Sequence, residues 1–282
     1  MKKKIIYLTI FSCFILIFKN YYILRTTIFN AFNLWLNNVF PFLFIMIILN
    51  DILLSLNIFN YFSNKYNYIF FTSLLSGTPS NAYIIKNLYQ KKIINNKVAN
   101  YSLLTTYFCN PLFLINILNL LFSKKISCKI LFIHYLTKLI LSIFFYKKLK
   151  CSYNTINKIT FNLSSSIKKS LDTNILVLGT IIFFAILTNI FLKIIRLPLI
   201  IEILLKGLLE LTQGLNGLLL LNNSLFIKEL FAILFLSFGG LSIHLQIKSI
   251  LNETDLDYFY FLKGRIIEVI ISVFLTFLLY KL

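Results

Sequence analysis

The sequence predicts an all-α, polytopic integral membrane protein with about eight transmembrane or re-entrant helices in two similar halves with broken helices. Three observations predict this fold class. The 282 residues are 59% hydrophobic and only 13% charged, whereas a soluble domain carries about 25% charged residues. Lysines cluster at the ends of the apolar runs, where cations meet anionic lipid headgroups. Helix-breaking residues interrupt apolar runs at corresponding places in the two halves, which is typical of a polar site near the bilayer midplane.

Composition argues against several classes of function. The formal net charge is +19, but no arginine-rich, aromatic-interleaved patch indicates a nucleic-acid partner. Residues 52–171 contain no Asp or Glu, so this region lacks the acidic side chains that catalysis by paired carboxylates requires. The four cysteines and two histidines lack metal-ligand spacing. We therefore expect no enzyme, no metal and no cofactor. The expected partners are the lipid bilayer, an unidentified small polar solute, and further copies of the chain or other membrane proteins.

The chain divides into four segments. Residues 1–27 are predicted to be an amino-terminal membrane anchor, because three lysines precede the apolar run 5–18 and no small-residue cleavage site follows. Residues 28–146 form the first half, and residues 170–282 form the second. The intervening segment 147–169 carries six lysines and no acid, so the positive-inside rule predicts a cytoplasmic linker. We expect a multi-pass protein of the cell membrane.

The first half is predicted to begin with an amphipathic helix, residues 24–38, that lies at the membrane interface with Trp35 as its anchor. Pro41 then bends the chain into the bilayer, because proline breaks the helical hydrogen-bond ladder. Further helical segments are predicted over residues 42–56, 68–75, 81–92, 100–122, 126–145, 170–192, 198–211, 225–245 and 259–279.

Four polar interruptions carry the candidate site: residues 76–81 and 109–111 in the first half, and 212–217 and 237–242 in the second. A bilayer tolerates unwound backbone only where protein or a water-filled cavity satisfies its peptide groups. The candidate solute-binding residues are Gly77, Thr78, Ser80, Asn81, Asn110, Gln213, Asn216, Gly239, Gly240, Ser242 and His244.

The chemistry of these residues fits more than one ligand. Neutral amides and hydroxyls both donate and accept hydrogen bonds, which suits a polar uncharged solute or water. Freed carbonyls suit a cation, and the amino end of a half-helix near Asn81 suits an anion. A second interpretation is that Asn and Gly only cap helices and permit close helix packing.

Ionisable residues inside apolar runs form a separate set: His134, Lys138, Glu210, Arg265 and Glu268. Such residues are costly at membrane depth and are functional hypotheses by default. However, a lysine such as Lys138 can extend its ammonium group to the interface. Arg265 and Glu268 have the i, i+3 spacing of a local ion pair.

Several stretches resemble the YlbJ family of sporulation integral membrane proteins, within the nucleoside-recognition or Gate-domain group. The stretches are residues 39–44, 73–82, 109–113, 207–212 with 214–216, and 236–244. The resemblance implies two Gate-like repeats, over residues 28–146 and 170–282. It also implies a role in spore cortex formation, by recognising or translocating a small polar solute. The alternatives are a non-transporting scaffold that organises other membrane proteins and, less in keeping with the composition, an intramembrane enzyme.

Overall fold

The computed structural model of the protein describes residues 19–149, 160–195 and 197–280, and within these ranges the secondary structure is entirely helical. The all-α prediction is confirmed there. The apolar run 5–18 of the expected anchor lies outside the described residues, as do residues 150–159 of the basic linker.

The helices are, in chain order, α1 (Tyr21–Asn38), α2 (Phe40–Ser55), α3 (Lys65–Ser76), α4 (Ser80–Gln90), α5 (Asn96–Thr105), α6 (Pro111–Leu121), α7 (Lys124–Phe144), the short α8 (Tyr146–Leu149), α9 (Leu163–Ile194), α10 (Leu199–Leu209), α11 (Leu211–Gly217), α12 (Leu225–Phe238), α13 (Gly240–Leu251) and α14 (Tyr258–Leu278). Single 3₁₀ turns follow α2 and α11, at Ile58–Tyr61 and Leu218–Leu220.

Three helical segments in the described part of the chain are long and apolar enough to cross a membrane: Lys124–Phe144, Leu163–Lys193 and Leu225–Leu251. A fourth crossing results if α1 and α2, which meet at a bend of 46°, act as one broken span. Helix α14 has the 21 residues of a span but carries three charged residues in its first half. These helices thus have the length and composition needed to cross a membrane.

Asparagine side chains begin many of the helices. The Oδ1 atoms of Asn64, Asn95 and Asn110 each accept hydrogen bonds from backbone N–H groups in the first turn of α3, α5 and α6. Asn162 does the same for α9. Such caps satisfy N–H groups that have no partner inside the helix. The abundance of asparagine in an otherwise apolar chain thus serves to start short helices.

Helix α9 organises the amino-terminal elements. Its 32 residues span about 48 Å, and it packs against α1, α2, α10 and α13. The prediction that Trp35 anchors α1 at the membrane interface is wrong. Trp35 is only 7% exposed and belongs to a core cluster with Val177 and Ile181 of α9, with its ring centroid 4.9 Å from that of Phe40. On the same helix Phe29, Phe32 and Leu36 remain exposed, so the packing on α9 buries Trp35 but not the rest of the apolar stripe.

Helices from the first half of the chain pack against helices from the second half. Helix α5 packs against α14, α7 packs against α12, α4 packs against α13, and α6 packs against α11. The α5–α14 contact is especially close, because a Cβ atom on Gly264 would lie 2.2 Å from the carbonyl oxygen of Leu104. Small residues at such crossings allow two helix backbones to approach each other.

A polar latch joins the loop after α13 to α4 and α5. Lys86 Nζ lies 2.6 Å from a carboxylate oxygen of Glu253. The Tyr89 hydroxyl and the Asn96 side-chain amide donate to Asp255, at 2.6 and 3.2 Å. The hydrogen bond and charge of Lys86 lower the pKa of Glu253, and the hydrogen bond from Tyr89 lowers the pKa of Asp255.

The change Gly264→Ala is expected to destabilise the fold by at least about 2 kcal/mol, because the new methyl group overlaps the α5 backbone, which cannot rotate away. Thermal or chemical unfolding of the protein in detergent measures this. Gly179→Ala is the matched control, since a Cβ there meets no atom within 4 Å. It should be neutral or slightly stabilising, because alanine favours the helix. Equal effects at the two positions would contradict the close crossing.

The polar latch is expected to open at acidic pH. The folded-state pKa values of Glu253 and Asp255 lie below their ordinary values. Their stabilising contribution is therefore complete above about pH 4 and is lost as the pH falls through the folded-state values. Hydrogen exchange of residues 252–257, corrected for the intrinsic pH dependence of exchange, should show protection at pH 7 that is clearly weaker at about pH 2.

The double variant Glu253→Gln with Asp255→Asn is the control for this pH dependence. Its loop should exchange at the same corrected rate at both pH values, because neither side chain titrates. A wild-type loop that remains protected at the acidic pH would show that these carboxylates do not hold it.

Candidate functional site

Four breaks in the helices meet at one place. Break 1 is residues 77–79 between α3 and α4, break 2 is residues 106–110 between α5 and α6, break 3 is Glu210 between α10 and α11, and break 4 is Gly239 between α12 and α13. The four share neither one helix nor one stretch of sequence, so only the tertiary fold brings them together.

Breaks 1 and 2 are joined directly. The Thr78 N–H donates to the Phe108 carbonyl oxygen at 2.7 Å. A Cβ on Gly77 would lie 2.6 Å from the Asn110 backbone nitrogen, and Gly77 has a φ of +70°. Both the left-handed conformation and the close approach require glycine at this position. The bare peptide groups of one break thus find partners in the other.

Breaks 3 and 4 complete the junction. Gly239, with a φ of +89°, lies so close to the Tyr107 hydroxyl of break 2 that a Cβ would be 2.6 Å away. A Cβ on its neighbour Gly240 would be 3.0 Å from the backbone nitrogen of Leu211, which directly follows break 3. Break 2 therefore contacts break 1 on one side and break 4 on the other, and break 4 contacts break 3.

A cavity of about 80 Å³ lies at this junction, which we call the inner cavity. A single water molecule needs about 10–15 Å³ of such space, so the cavity can hold several waters or one small solute. Its polar lining consists of Asn38, Ser76, Thr78, Tyr107, Cys109, Asn110, Glu210, Thr212, Ser242 and Gln246, and the rest of the lining is apolar.

Three hydroxyls of the inner cavity have no hydrogen-bond partner among the described residues: those of Ser76, Thr78 and Ser242. Ser76 is 3% exposed and Ser242 is 1% exposed, so bulk water does not solvate them. An unsatisfied buried polar group costs about 1–3 kcal/mol. The cavity therefore presents hydrogen-bonding groups that a bound molecule would satisfy.

A second, wider cavity of about 470 Å³ adjoins the inner one and is called here the outer cavity. It is lined by α1, α9, α10 and α11 and by the 3₁₀ turn after α11, with Lys206 of α10 among its residues, and it shares Ile181, Glu210 and Thr212 with the inner cavity. Glu210 and Thr212 thus occupy the boundary between the two spaces.

All the predicted site residues except His244 divide into four groups. Thr78, Asn110 and Ser242 line the inner cavity, while Gly77, Gly239 and Gly240 let the breaks approach each other. Ser80 and Asn81 brace the junction: Ser80 accepts a bond from Asn50 at 3.3 Å, and the Asn81 amide donates to the Thr106 carbonyl at 2.7 Å. Gln213 and Asn216 line the outer cavity.

His244 does not line either cavity. Its Nδ1 atom lies 2.6 Å from the Tyr258 hydroxyl, and its Nε2 atom lies 3.1 Å from the Phe238 carbonyl oxygen. The ring therefore bonds the last carbonyl of α12 and ties α13 to α14. The sequence predicted a solute contact for His244 because it lies two residues after Ser242. Both residues lie on α13, and side chains two positions apart on a helix point in different directions.

The third break is displaced from the predicted position. Residues 212–217 were expected to be unwound, but Leu211–Gly217 is helical and the single extended residue is Glu210. The glycines there serve helix packing, because a Cβ on Gly214 would lie 2.1 Å from the Gly207 Cα. They let α10 and α11 cross closely instead of breaking the chain.

A buried charge cluster lies behind Tyr107. The Glu268 carboxylate of α14 pairs with both Lys138 of α7 and Arg265 of α14, and all three side chains are fully buried. His134 Nδ1 lies 3.2 Å from Lys138 Nζ, and its Nε2 accepts the Cys109 N–H at 3.3 Å. Lys138 therefore does not reach toward the interface, as a lysine in a span can. The local Arg265–Glu268 pair expected from the i, i+3 spacing is present.

Arg265 also holds the ends of two broken helices. Its Nη2 donates to the Leu104 carbonyl of α5 at 3.3 Å, and its Nη1 donates to the Ser237 carbonyl of α12 at 3.4 Å. The guanidinium carbon lies 4.0 Å from the centre of the Tyr107 ring. A cation at two helix carboxyl ends satisfies free carbonyls and opposes the negative ends of both helix dipoles.

Within the described ranges, no group of three or more His, Cys, Asp or Glu side chains is placed to hold a metal ion. The candidate site is thus the inner cavity, in which Glu210 is the charged residue among the described lining residues. The buried charge cluster is separate from it and lies behind Tyr107.

Comparison with known proteins gives no relatives: no protein-family model, no curated protein and no solved structure matches the chain. The resemblance to the YlbJ family accordingly depends on the sequence motifs alone.

The buried cluster should respond unequally to removal of its charges. Glu268→Gln leaves Lys138 and Arg265 buried without a counter-ion and should destabilise the fold by about 3–5 kcal/mol. Lys138→Met leaves the Arg265–Glu268 pair intact and should cost less than about half of that. Unfolding of the purified variants in detergent measures both values. A Lys138→Met variant as unstable as Glu268→Gln would show that Arg265 does not neutralise the carboxylate.

Proposed function

We propose that the protein is a multi-pass cell-membrane protein that recognises or translocates a small polar solute through the inner cavity. The observation that carries this proposal is the convergence of four helix breaks on one cavity with unpartnered hydroxyls. The outer cavity supplies a route of approach to the inner one.

The alternative, that the breaks serve only helix packing, accounts for the glycines but not for the hydroxyls. Backbone groups at the junction bond to each other, as Thr78 does with Phe108, so the breaks do not need extra donors. A purely structural junction at membrane depth would be more stable with alanine in place of Ser76 and Ser242, because each buried hydroxyl lacks a partner. A solute or ordered water that bonds to these hydroxyls gives a reason for their presence.

We further propose two Gate-like repeats, residues 28–146 and 170–282, that together supply about eight transmembrane or re-entrant elements. The order of elements supports this proposal. Two broken pairs and a long helix (α3/α4, α5/α6 and α7) are followed in the second part by two broken pairs and a long helix (α10/α11, α12/α13 and α14). The contacts are reciprocal as well, because α5 packs on α14 and α12 packs on α7.

The size of the inner cavity limits the solute to a molecule of a few non-hydrogen atoms, or to one such portion of a larger molecule that extends into the outer cavity. A role in spore cortex formation enters the proposal only through the motif resemblance. It requires that the host forms spores and that deletion of this chain impairs the cortex.

Solute passage should depend on the two buried serines. Ser76→Ala and Ser242→Ala each remove one hydrogen bond to a solute, and a bond of about 1 kcal/mol corresponds to about a fivefold slower passage. The stability of each variant should stay equal or rise, since the hydroxyls have no protein partner among the described residues. Stopped-flow light scattering of proteoliposomes in glycerol or urea gradients measures passage, and thermal unfolding measures stability.

Ser73→Ala is the matched control. Ser73 lies one turn earlier on α3, is fully buried and also lacks a partner for its hydroxyl, but it does not line the inner cavity. Its passage rate should equal that of the wild type. The serines are cleaner targets than Asn110, whose side chain caps α6 and whose loss would cost about 1 kcal/mol of stability. Passage no faster than in protein-free liposomes, or identical in all variants, would favour the scaffold.

A further inference from the structure

Glu210 stands out among the residues of the two cavities. It is the single extended residue between α10 and α11, it is only 2% exposed, and it lines both the inner and the outer cavity. The Thr212 hydroxyl donates to its Oε2 atom, and the Gln213 N–H donates to the same atom at 2.8 Å. Both donors use one oxygen, so Oε1 is the atom that a ligand in the cavity would meet.

No lysine, arginine or histidine in the described ranges forms an ion pair with Glu210. The nearest lysine along the chain, Lys206, lies 2.6 Å from Glu202 instead. Lys193 of the neighbouring α9 donates to Asn20, and His244 of α13 is bonded to Tyr258. A buried carboxylate without a cation is costly, and proteins normally supply a partner.

The capping role of Glu210 does not require a charge. Helices α3, α5, α6 and α9 are capped by neutral asparagine, including Asn110 at break 2, which lines the same cavity, whereas Asp257, the carboxylate that caps α14, is exposed. A carboxylate at break 3 therefore adds something that capping does not need. The hydroxyl oxygens of Thr212, Ser242 and Thr78 line the inner cavity with it, and carboxylate and hydroxyl oxygens together suit a small cation.

We propose that Glu210 binds a monovalent cation at the boundary between the two cavities, either a free alkali ion or the ammonium group of the solute. This inference deepens the proposed function and depends on it, because it names the charge of the species that occupies the cavity. The cation enters through the outer cavity and pairs with the carboxylate of Glu210. The hydroxyl oxygens of the inner cavity complete its coordination.

The test is thermal unfolding of the full-length protein in detergent at constant ionic strength. The probes are sodium, potassium and ethanolammonium chlorides, with bulky N-methylglucamine chloride as the reference and ethylene glycol as the neutral analogue. At ten times its Kd a bound cation should raise the Tm by about 3–5 °C. Stabilisation by sodium or potassium identifies a free alkali ion, whereas stabilisation by ethanolammonium alone identifies an ammonium-bearing solute.

Glu210→Gln keeps the shape and a capping oxygen, and it should abolish the shift in Tm. Glu253→Gln is the control, because it removes an exposed carboxylate whose partner Lys86, like Glu253 itself, lines neither cavity, and it should keep the shift. Glu210→Asp retains the charge, so it should keep a weaker shift and serves if the glutamine variant does not fold. A shift that persists in Glu210→Gln, or no shift in the wild type, overturns the inference.

The same preparations separate this inference from the proposed function. Wild-type proteoliposomes that pass glycerol or urea in a serine-dependent manner, with no cation effect on the Tm, would retain the proposed function and remove the cation site. A cation effect that requires Glu210, without serine-dependent passage of any solute, would instead remove the proposed function.

Discussion

The carboxylate of Glu268 is the point on which the buried architecture depends, because it is the shared counter-ion of Lys138 and Arg265, and all three side chains are fully buried. The sequence determines which part of the chain supplies this carboxylate. Residues 52–171 contain no acid, so Lys138 finds its carboxylate in the later part of the chain. The same direction holds for two other ion pairs, Lys86 with Glu253 and Lys129 with Glu229. Segregated charge thus sets which elements of the two parts face each other and disfavours pairing within the first part.

Around this cluster, the helix breaks leave backbone N–H and C=O groups that have no partner within their own helix. Each break uses a neighbour: Thr78 bonds to Phe108, Arg265 bonds to the carbonyls that end α5 and α12, and Asn110 and Glu210 cap the helices that follow them. Once the backbone is satisfied in this way, the remaining unpartnered groups of the inner cavity are side-chain hydroxyls. Hydroxyls left over after the backbone is satisfied are therefore available to a ligand without loss of the fold.

The sequence was sufficient to predict the parts of the fold that local chemistry determines. Gly77 and Gly239 adopt the left-handed conformations that glycine permits, and the breaks at both positions were predicted from composition. The third break was misplaced because Gly207 and Gly214 pack two helices together, and a single extended Glu210 has no compositional signal. Trp35 was placed at the interface because its partner α9 lies more than 130 residues away in the chain. The ion pair of Lys138 with Glu268 and the position of His244 outside the cavity likewise depend on tertiary contacts, so the sequence could not predict them.

Arg265 has a mechanical consequence. Its guanidinium is bonded at once to the end of α5 and to the end of α12, and its ring partner Tyr107 lies against Gly239. Breaks 2 and 4 are thereby tied to α14 through one side chain. Break 1 is itself bonded to break 2 through Thr78 and Phe108, so a widening of the cavity that preserves these bonds has to move α10–α11, which is not bonded to Arg265 in the described structure.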